Sequence, residues 1–284
     1  MESTYWLKQT RGSPLFPDLL WSRPENKRHA GKLLIIGGNL HGFSAPGTAY
    51  SAAIKAGVGT CRVILPDKLQ KTVGKLLPEA EFAPSTPTSG SFSRKALAQV
   101  LDSAVWADGV LLAGDFGRNS ETAILLESFM SKYSGQVTVA QDGLDYFLAK
   151  NSPLVNRPNT SSIINLGKLQ KLAKYNRPAT PVMHSMMLAD LVQLLHDWTS
   201  GNPGQIITKH ADNFIVASAS QVSTTPALWN ARTERAGKAD STGPAHKDTN
   251  WQIELSAYVS VWWLQQPKQP FEVLTSAIYE YLSN

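Results

Sequence analysis

Apolar residues gather in short runs along this chain. The run Lys32-Leu-Leu-Ile-Ile-Gly37 has strand length, ends in glycine and shows no polar alternation, the pattern of a strand buried on both faces of a parallel sheet. Runs of the same kind recur at 60–65, 109–113, 136–140, 161–165 and 205–209. Between most of them the apolar positions switch to helical spacing, at 45–56, 67–77, 93–104, 121–132 and 183–198. This alternation predicts an α/β fold with a mainly parallel central sheet and helices on both faces. After Lys209 the pattern changes. Residues 213–218 and 221–224 read as consecutive strands with no helix between them, which predicts an antiparallel edge. Two helices, 251–266 and 270–282, close the chain, the second opened by Pro270 at a tolerated first-turn position. Residues 228–250 hold almost nothing apolar and read as a long mobile loop, 84–93 read as a surface loop, and 1–27 as an extension.

The chain has 284 residues, 42% of them hydrophobic, enough to bury one large core, so a single domain spanning 1–284 is expected. The net charge of +5 with 17% charged residues is too dispersed to predict a nucleic-acid surface. The densest basic stretch, Lys168 to Arg177, is interleaved with Leu169, Leu172 and Ala173 at helical spacing and reads as a solvated helix face. A lone cysteine, Cys61, leaves no intramolecular disulfide and no cysteine-based metal site, which suits a reducing, cytoplasmic location. Residues 1–9 lack a signal-peptide pattern and no run of 18 apolar residues occurs, so no membrane contact is expected.

In open parallel α/β sheets ligands bind outside the carboxyl ends of the strands, so the segments just after each strand hold the candidate chemistry. Four of them form an ordered set. The first is Leu34-Ile-Ile-Gly-Gly-Asn-Leu-His-Gly-Phe-Ser-Ala-Pro46, followed by the small-residue stretch Ala52-Ala-Ile-Lys-Ala-Gly-Val-Gly-Thr60 and by Leu77-Pro-Glu-Ala80. The second is Leu111-Leu-Ala-Gly-Asp-Phe-Gly-Arg-Asn-Ser-Glu-Thr122, the third Val139-Ala-Gln-Asp-Gly-Leu144, and the fourth runs from Thr242 to Glu254. Their order and spacing resemble the ADP/ATP-dependent NAD(P)H-hydrate dehydratases of the ribokinase-like superfamily, over roughly Arg28 to Leu282.

That resemblance implies a ribokinase-like fold and ATP- or ADP-dependent repair of hydrated NAD(P)H, with Mg²⁺ as the accompanying ion and an NAD(P)H-type ligand. It implies Glu254 at the catalytic position, where the family has aspartate. Lys209, Thr242, Gly243 and Asn250 fall at nucleotide and phosphate positions. Gly38, Asn39, His41, Gly117, Arg118 and Asp142 fall at substrate positions. The chain also departs from the pattern. Asn250-Trp-Gln-Ile253 replaces the glycine-rich run before the catalytic position, Ala113-Gly-Asp115 stands where Gly-Pro-Gly is usual, and Asn165-Leu-Gly-Lys168 replaces His-Pro-Gly-Glu. A carboxylate within reach of a hydroxyl suits proton transfer, whereas an anion hole needs backbone N–H groups that a phosphate can approach closely, which glycine permits and Trp251 and Ile253 do not.

Other signatures are missing. Gly37, Gly38 and Gly42 do not complete a dinucleotide fingerprint, no phosphate loop or nucleophile elbow occurs, and the six histidines lack metal-ligand spacing. Trp262 and Trp263 lie in an apolar helical run and read as core. The expected function is that of a diverged dehydratase with reduced or no activity. The alternatives are a non-catalytic nucleotide-binding pseudoenzyme, a related small-molecule kinase, or a partner-binding role for 228–250. A small-molecule nucleotide is the expected partner, with no nucleic acid and no membrane, and self-association left open.

Overall fold

The computed structural model describes residues 4–24, 26–176, 178, 180–228 and 251–284. Its elements in chain order begin with β1 (Trp6–Lys8), α1 (Pro17–Trp21), β2 (Lys32–Gly37), α2 (Ser44–Lys55), β3 (Thr60–Pro66), α3 (Gln70–Val73) and β4 (Ala80–Ala83). They continue with α4 (Leu97–Trp106), β5 (Gly109–Gly114), α5 (Ser120–Lys132), β6 (Gln136–Ala140), α6 (Pro153–Asn156), β7 (Thr160–Ile163), α7 (Leu166–Asn176) and α8 (Leu188–Ser200). The last are β8 (Gln205–His210), β9 (Asn213–Ser218), β10 (Gln221–Pro226), α9 (Trp251–Gln265) and α10 (Pro270–Ser283).

One ten-stranded sheet carries everything, in the order β1-β10-β9-β8-β7-β6-β5-β2-β3-β4. β9 runs antiparallel to both β8 and β10, which makes the antiparallel edge expected after Lys209. The pairings among β2 to β8 are parallel. Parallel strands must be covered on both faces, and the side chains alternate accordingly. Leu34, Ile36 and Ile64 point into a core shared with α4, α5, α7 and α8. Leu33, Ile35 and Val63 point into a second core shared with α2, α9 and α10, where Trp262 and Trp263 are both buried.

Three segments differ from their sequence pattern for local reasons. Residues 67–77 do not form one helix: a 3₁₀ turn, Asp67–Leu69, leads into the single turn of α3, and Gly74 and Pro78 end it before the short edge strand β4. Residues 84–93 fold inward, with the Thr86 N–H donating to the Ser91 carbonyl at 2.8 Å and Phe92 fully buried. At the amino end, β1 lies parallel to β10 and is pinned by Gln9, whose buried amide donates to Thr225 Oγ1 and the Thr275 carbonyl, both at 3.1 Å. Residues 228–250, read as a long loop, lie almost entirely outside the described residues.

The chain order β2-β3-β4 fills one side of the sheet and β5-β6-β7-β8 the other, so the direction reverses between β2 and β5. A crevice opens at the carboxyl ends of strands at such a reversal. The loops after β2, β5 and β6 therefore meet there.

Candidate functional site

The loop after β2 turns at once. Gly38 has φ +92, and its N–H donates to the Gly114 carbonyl at 2.9 Å; a Cβ on the neighbouring Gly37 would stand 2.5 Å from that same carbonyl oxygen. Gly37 is thus required by the close approach of β2 and β5, and Gly38 by its left-handed backbone. The Asn39 side chain accepts from the His41 N–H at 2.7 Å and donates to the Asp115 carbonyl at 2.6 Å, tying the first loop to the second.

The second loop holds Asp115 in the left-handed region at φ +58, a conformation that an aspartate tolerates better than most side chains. Its carboxylate accepts from the Ala45 N–H at 2.7 Å, in the first turn of α2, with the Ser44 hydroxyl at 3.4 Å. An acidic group is favoured there because the helix dipole and free N–H groups present positive charge. Asp142, in the 3₁₀ segment Gln141–Phe147 after β6, accepts from the Gly117 N–H at 2.9 Å. The Tyr146 hydroxyl donates to the Gly117 carbonyl at 2.6 Å. Burial, opposed by the N–H groups of Gly117 and Phe116 and assisted by the charge of Asp115, raises the Asp142 pKa above the ordinary carboxylate range. Its other oxygen is buried without a hydrogen-bond partner among the described residues.

Gly38, Asn39, Gly117 and Asp142 lie together in these loops, joined by Asp115, while His41 and Arg118 are exposed at the rim. Asp115 had no counterpart among the sequence candidates because its value is positional: it meets Ala45 only through the reversal between β2 and β5.

Glu254 lies elsewhere, on the first turns of α9. Around it, Trp251 packs edge-on against Phe214 with ring centroids 5.4 Å apart, Gln252 Nε2 donates to the Ile163 carbonyl at 3.0 Å, and Ile253 is fully buried. Glu254 faces a groove of about 550 Å³ between α2, α9 and α10, lined also by Ser44, Thr48, Ser51, Lys55, Tyr258 and Tyr281. The Tyr281 hydroxyl donates to Glu254 Oε2 at 3.4 Å, and burial together with the Glu254 charge pushes the Tyr281 pKa up. Sequence reasoning missed this lining, although Ser44, Thr48, Ser51 and Lys55 form a polar stripe at helical spacing. The groove offers one carboxylate, one ammonium and several hydroxyls, a set able to bind a polar ligand and to move a proton at Glu254.

Lys209 stands at the end of β8, half-buried, with its ammonium 5.9 Å from the Phe214 ring centroid. The ring of the next residue, His210, bonds the Met186 carbonyl at 2.7 Å. Thr242, Gly243 and Asn250 lie outside the described residues. Among the described residues no group of three or more His, Cys, Asp or Glu side chains is placed to hold a metal ion, and no helix is long and apolar enough to cross a membrane.

No family profile matches the chain. A curated relative, the bifunctional NAD(P)H-hydrate repair enzyme Nnr of Dictyoglomus turgidum, is 26% identical over 127 residues, 44% of this chain. The matched stretch spans only 25% of that relative's length. A ribokinase-like superfamily protein of Enterococcus faecalis superposes with a TM-score of 0.66 at 14% identity, over 98% of this chain and 87% of its own. The ADP/ATP-dependent NAD(P)H-hydrate dehydratase of Bacillus subtilis, co-crystallised with ATP and Mg²⁺, superposes with a TM-score of 0.58 at 13% identity, over 91% of this chain and 81% of its own. The fold of this chain is ribokinase-like, and its structural neighbours include an ADP/ATP-dependent NAD(P)H-hydrate dehydratase.

Proposed function

We propose that this protein is a diverged relative of the NAD(P)H-hydrate dehydratases that binds a nucleotide-class ligand at the carboxyl edge of its sheet and has lost most of the ATP- or ADP-driven turnover. In this reading Lys209, with Thr242, Gly243 and Asn250, faces the nucleotide phosphates. Gly38, Asn39, His41, Gly117, Arg118 and Asp142 belong to the substrate side.

The observation that carries the loss of turnover is the company of Glu254. The turn before it has no glycine, and Trp251, Gln252 and Ile253 are each engaged with protein, on Phe214, on the Ile163 carbonyl and in the core. A transferring phosphoryl group needs convergent backbone donors that it can approach closely, and here the Trp251 and Ile253 side chains stand where glycines would leave that approach open. Among the described residues no group of three or more His, Cys, Asp or Glu side chains is placed to hold a metal ion, and no step through ATP or Mg²⁺ is assigned. The ligand class is supported by the curated relative, named as an NAD(P)H-hydrate repair enzyme, and by a fold shared with a protein named as an NAD(P)H-hydrate dehydratase.

A second reading, retained turnover with Glu254 as the base, is favoured by the Tyr281 hydroxyl that orients its carboxylate. One experiment separates the two. The protein is incubated with hydrated NADH and ATP or ADP while NADH absorbance is followed, and its melting is measured with each nucleotide. The proposal expects no recovery above the uncatalysed rate and a rise in Tm with at least one nucleotide, since a ligand at a hundred times its Kd adds about 2.7 kcal/mol. Recovery that Glu254→Gln abolishes replaces it with the second reading, and no Tm rise with any nucleotide removes the binding role.

A further inference from the structure

Lys171 and Lys174 lie on the solvated face of α7, as their spacing suggests. α7 buries Leu166, Leu169, Leu172 and Ala173 against the sheet. Its other side borders two cavities of about 490 and 540 Å³. Lys171 and Lys174 line both cavities, so these meet along that pair. Arg118, from the loop after β5, enters the first, together with Tyr175.

The charges there are unbalanced. Lys168 is already committed, donating to the Gln141 carbonyl at 2.6 Å and pairing with Asp145 Oδ2 at 2.9 Å. That pairing also uses the one acid lining the first cavity. Among the described residues Arg118, Lys171 and Lys174 form no ion pair. Lysines three apart on a helix repel, and a guanidinium brought beside them adds to the cost, so the arrangement is stabilised by an anion between them. Arginine's planar fork matches phosphate oxygens, and lysine serves phosphate as a point charge.

We propose that Arg118, Lys171 and Lys174 form a binding site for a small molecule carrying two or more phosphate groups. Two adjoining open depressions that share a lysine pair suit several linked phosphates better than a single one. Three exposed cations on one short patch suit a small molecule better than a duplex, whose phosphates need a long basic surface. The site shares Arg118 with the substrate side proposed above but lies apart from the Glu254 groove, because α7 packs on the core of the opposite sheet face from α2, α9 and α10. It therefore stands whether or not Glu254 turns anything over.

The test is calorimetric titration of the purified full chain with inorganic pyrophosphate and tripolyphosphate at low salt, where charge attraction is least screened. Saturable one-site binding is expected, weakened about tenfold or more in the Lys171→Ala/Lys174→Ala double variant and in Arg118→Ala, a tenfold change being about 1.4 kcal/mol. Lys132→Ala, on the exposed side of α5, should leave it unchanged. All four positions are solvent-exposed, and melting curves check that each variant folds. Absence of saturation, or equal affinity in wild type and the double variant, overturns the proposal. So does a short DNA duplex that binds more tightly than tripolyphosphate and is lost in the same variants.

Discussion

The two carboxylate-bearing regions at the carboxyl edge of the sheet are built on opposite principles. Where the loops after β2, β5 and β6 converge, the polar groups are spent on one another: Asn39 on Asp115, Asp115 on Ala45, Asp142 on Gly117. In the groove between α2, α9 and α10, Glu254 has one long bond from Tyr281 and otherwise faces open space beside Thr48, Ser51 and Lys55. The first region mainly holds the loops together, with one Asp142 oxygen left over on the proposed substrate side; the second leaves most of its groups open to a ligand. A residue's place in a sequence motif does not tell these cases apart, because both kinds of carboxylate sit after a strand or at a helix start.

The comparison breaks most visibly at Asp115. Asp115→Ala removes the acceptor at Ala45 and puts a Cβ without local hydrogen bonding at φ +58, so chemical denaturation should show a loss of about 2 to 3 kcal/mol. Asn39→Ala removes the tie between the two loops and should cost about 1 kcal/mol in the same measurement. Asp142→Asn should act through pH. The raised native pKa means that the folded protein holds this proton more tightly than the unfolded chain does. Wild-type stability therefore falls as pH rises from the ordinary aspartate range through the native value, and the penalty persists above it. The variant, which keeps an acceptor for Gly117, should gain in Tm over wild type at neutral pH, with the difference shrinking as pH approaches 4. Glu254→Gln should change stability by less than about 0.5 kcal/mol, the mark of a group that the fold does not depend on. A loss above 1 kcal/mol there would erase the contrast.

Much of the fold was legible because it rests on local pattern. The runs at Lys32–Gly37, Gly109–Gly114 and Gln136–Ala140 are buried on both faces, which a covered parallel sheet requires. The elements that escaped lack that signal. β1 is three residues, and β4, Ala80–Ala83, has one fully buried residue of four, as suits edge strands that pack on one side. The candidate site was legible only as identities. Gly38, Asn39, Gly117 and Asp142 are named by the motifs they sit in, but what each one touches depends on the reversal between β2 and β5. The lining of the Glu254 groove comes from three helices far apart in sequence, and no window of residues contains it.

The strand at the amino end has a consequence for how the molecule assembles. β1 docks on β10 through Trp6 and Val222, and Gln9 reaches Thr225 across 216 residues. A contact so distant in sequence is entropically costly to close early, so β1 should be among the last strands to join. Until it does, β10 presents an unpaired edge with Val222 and Thr224 in register for any extended chain. Refolding should therefore lose yield as protein concentration rises, and a peptide copying the first residues should protect that edge in trans.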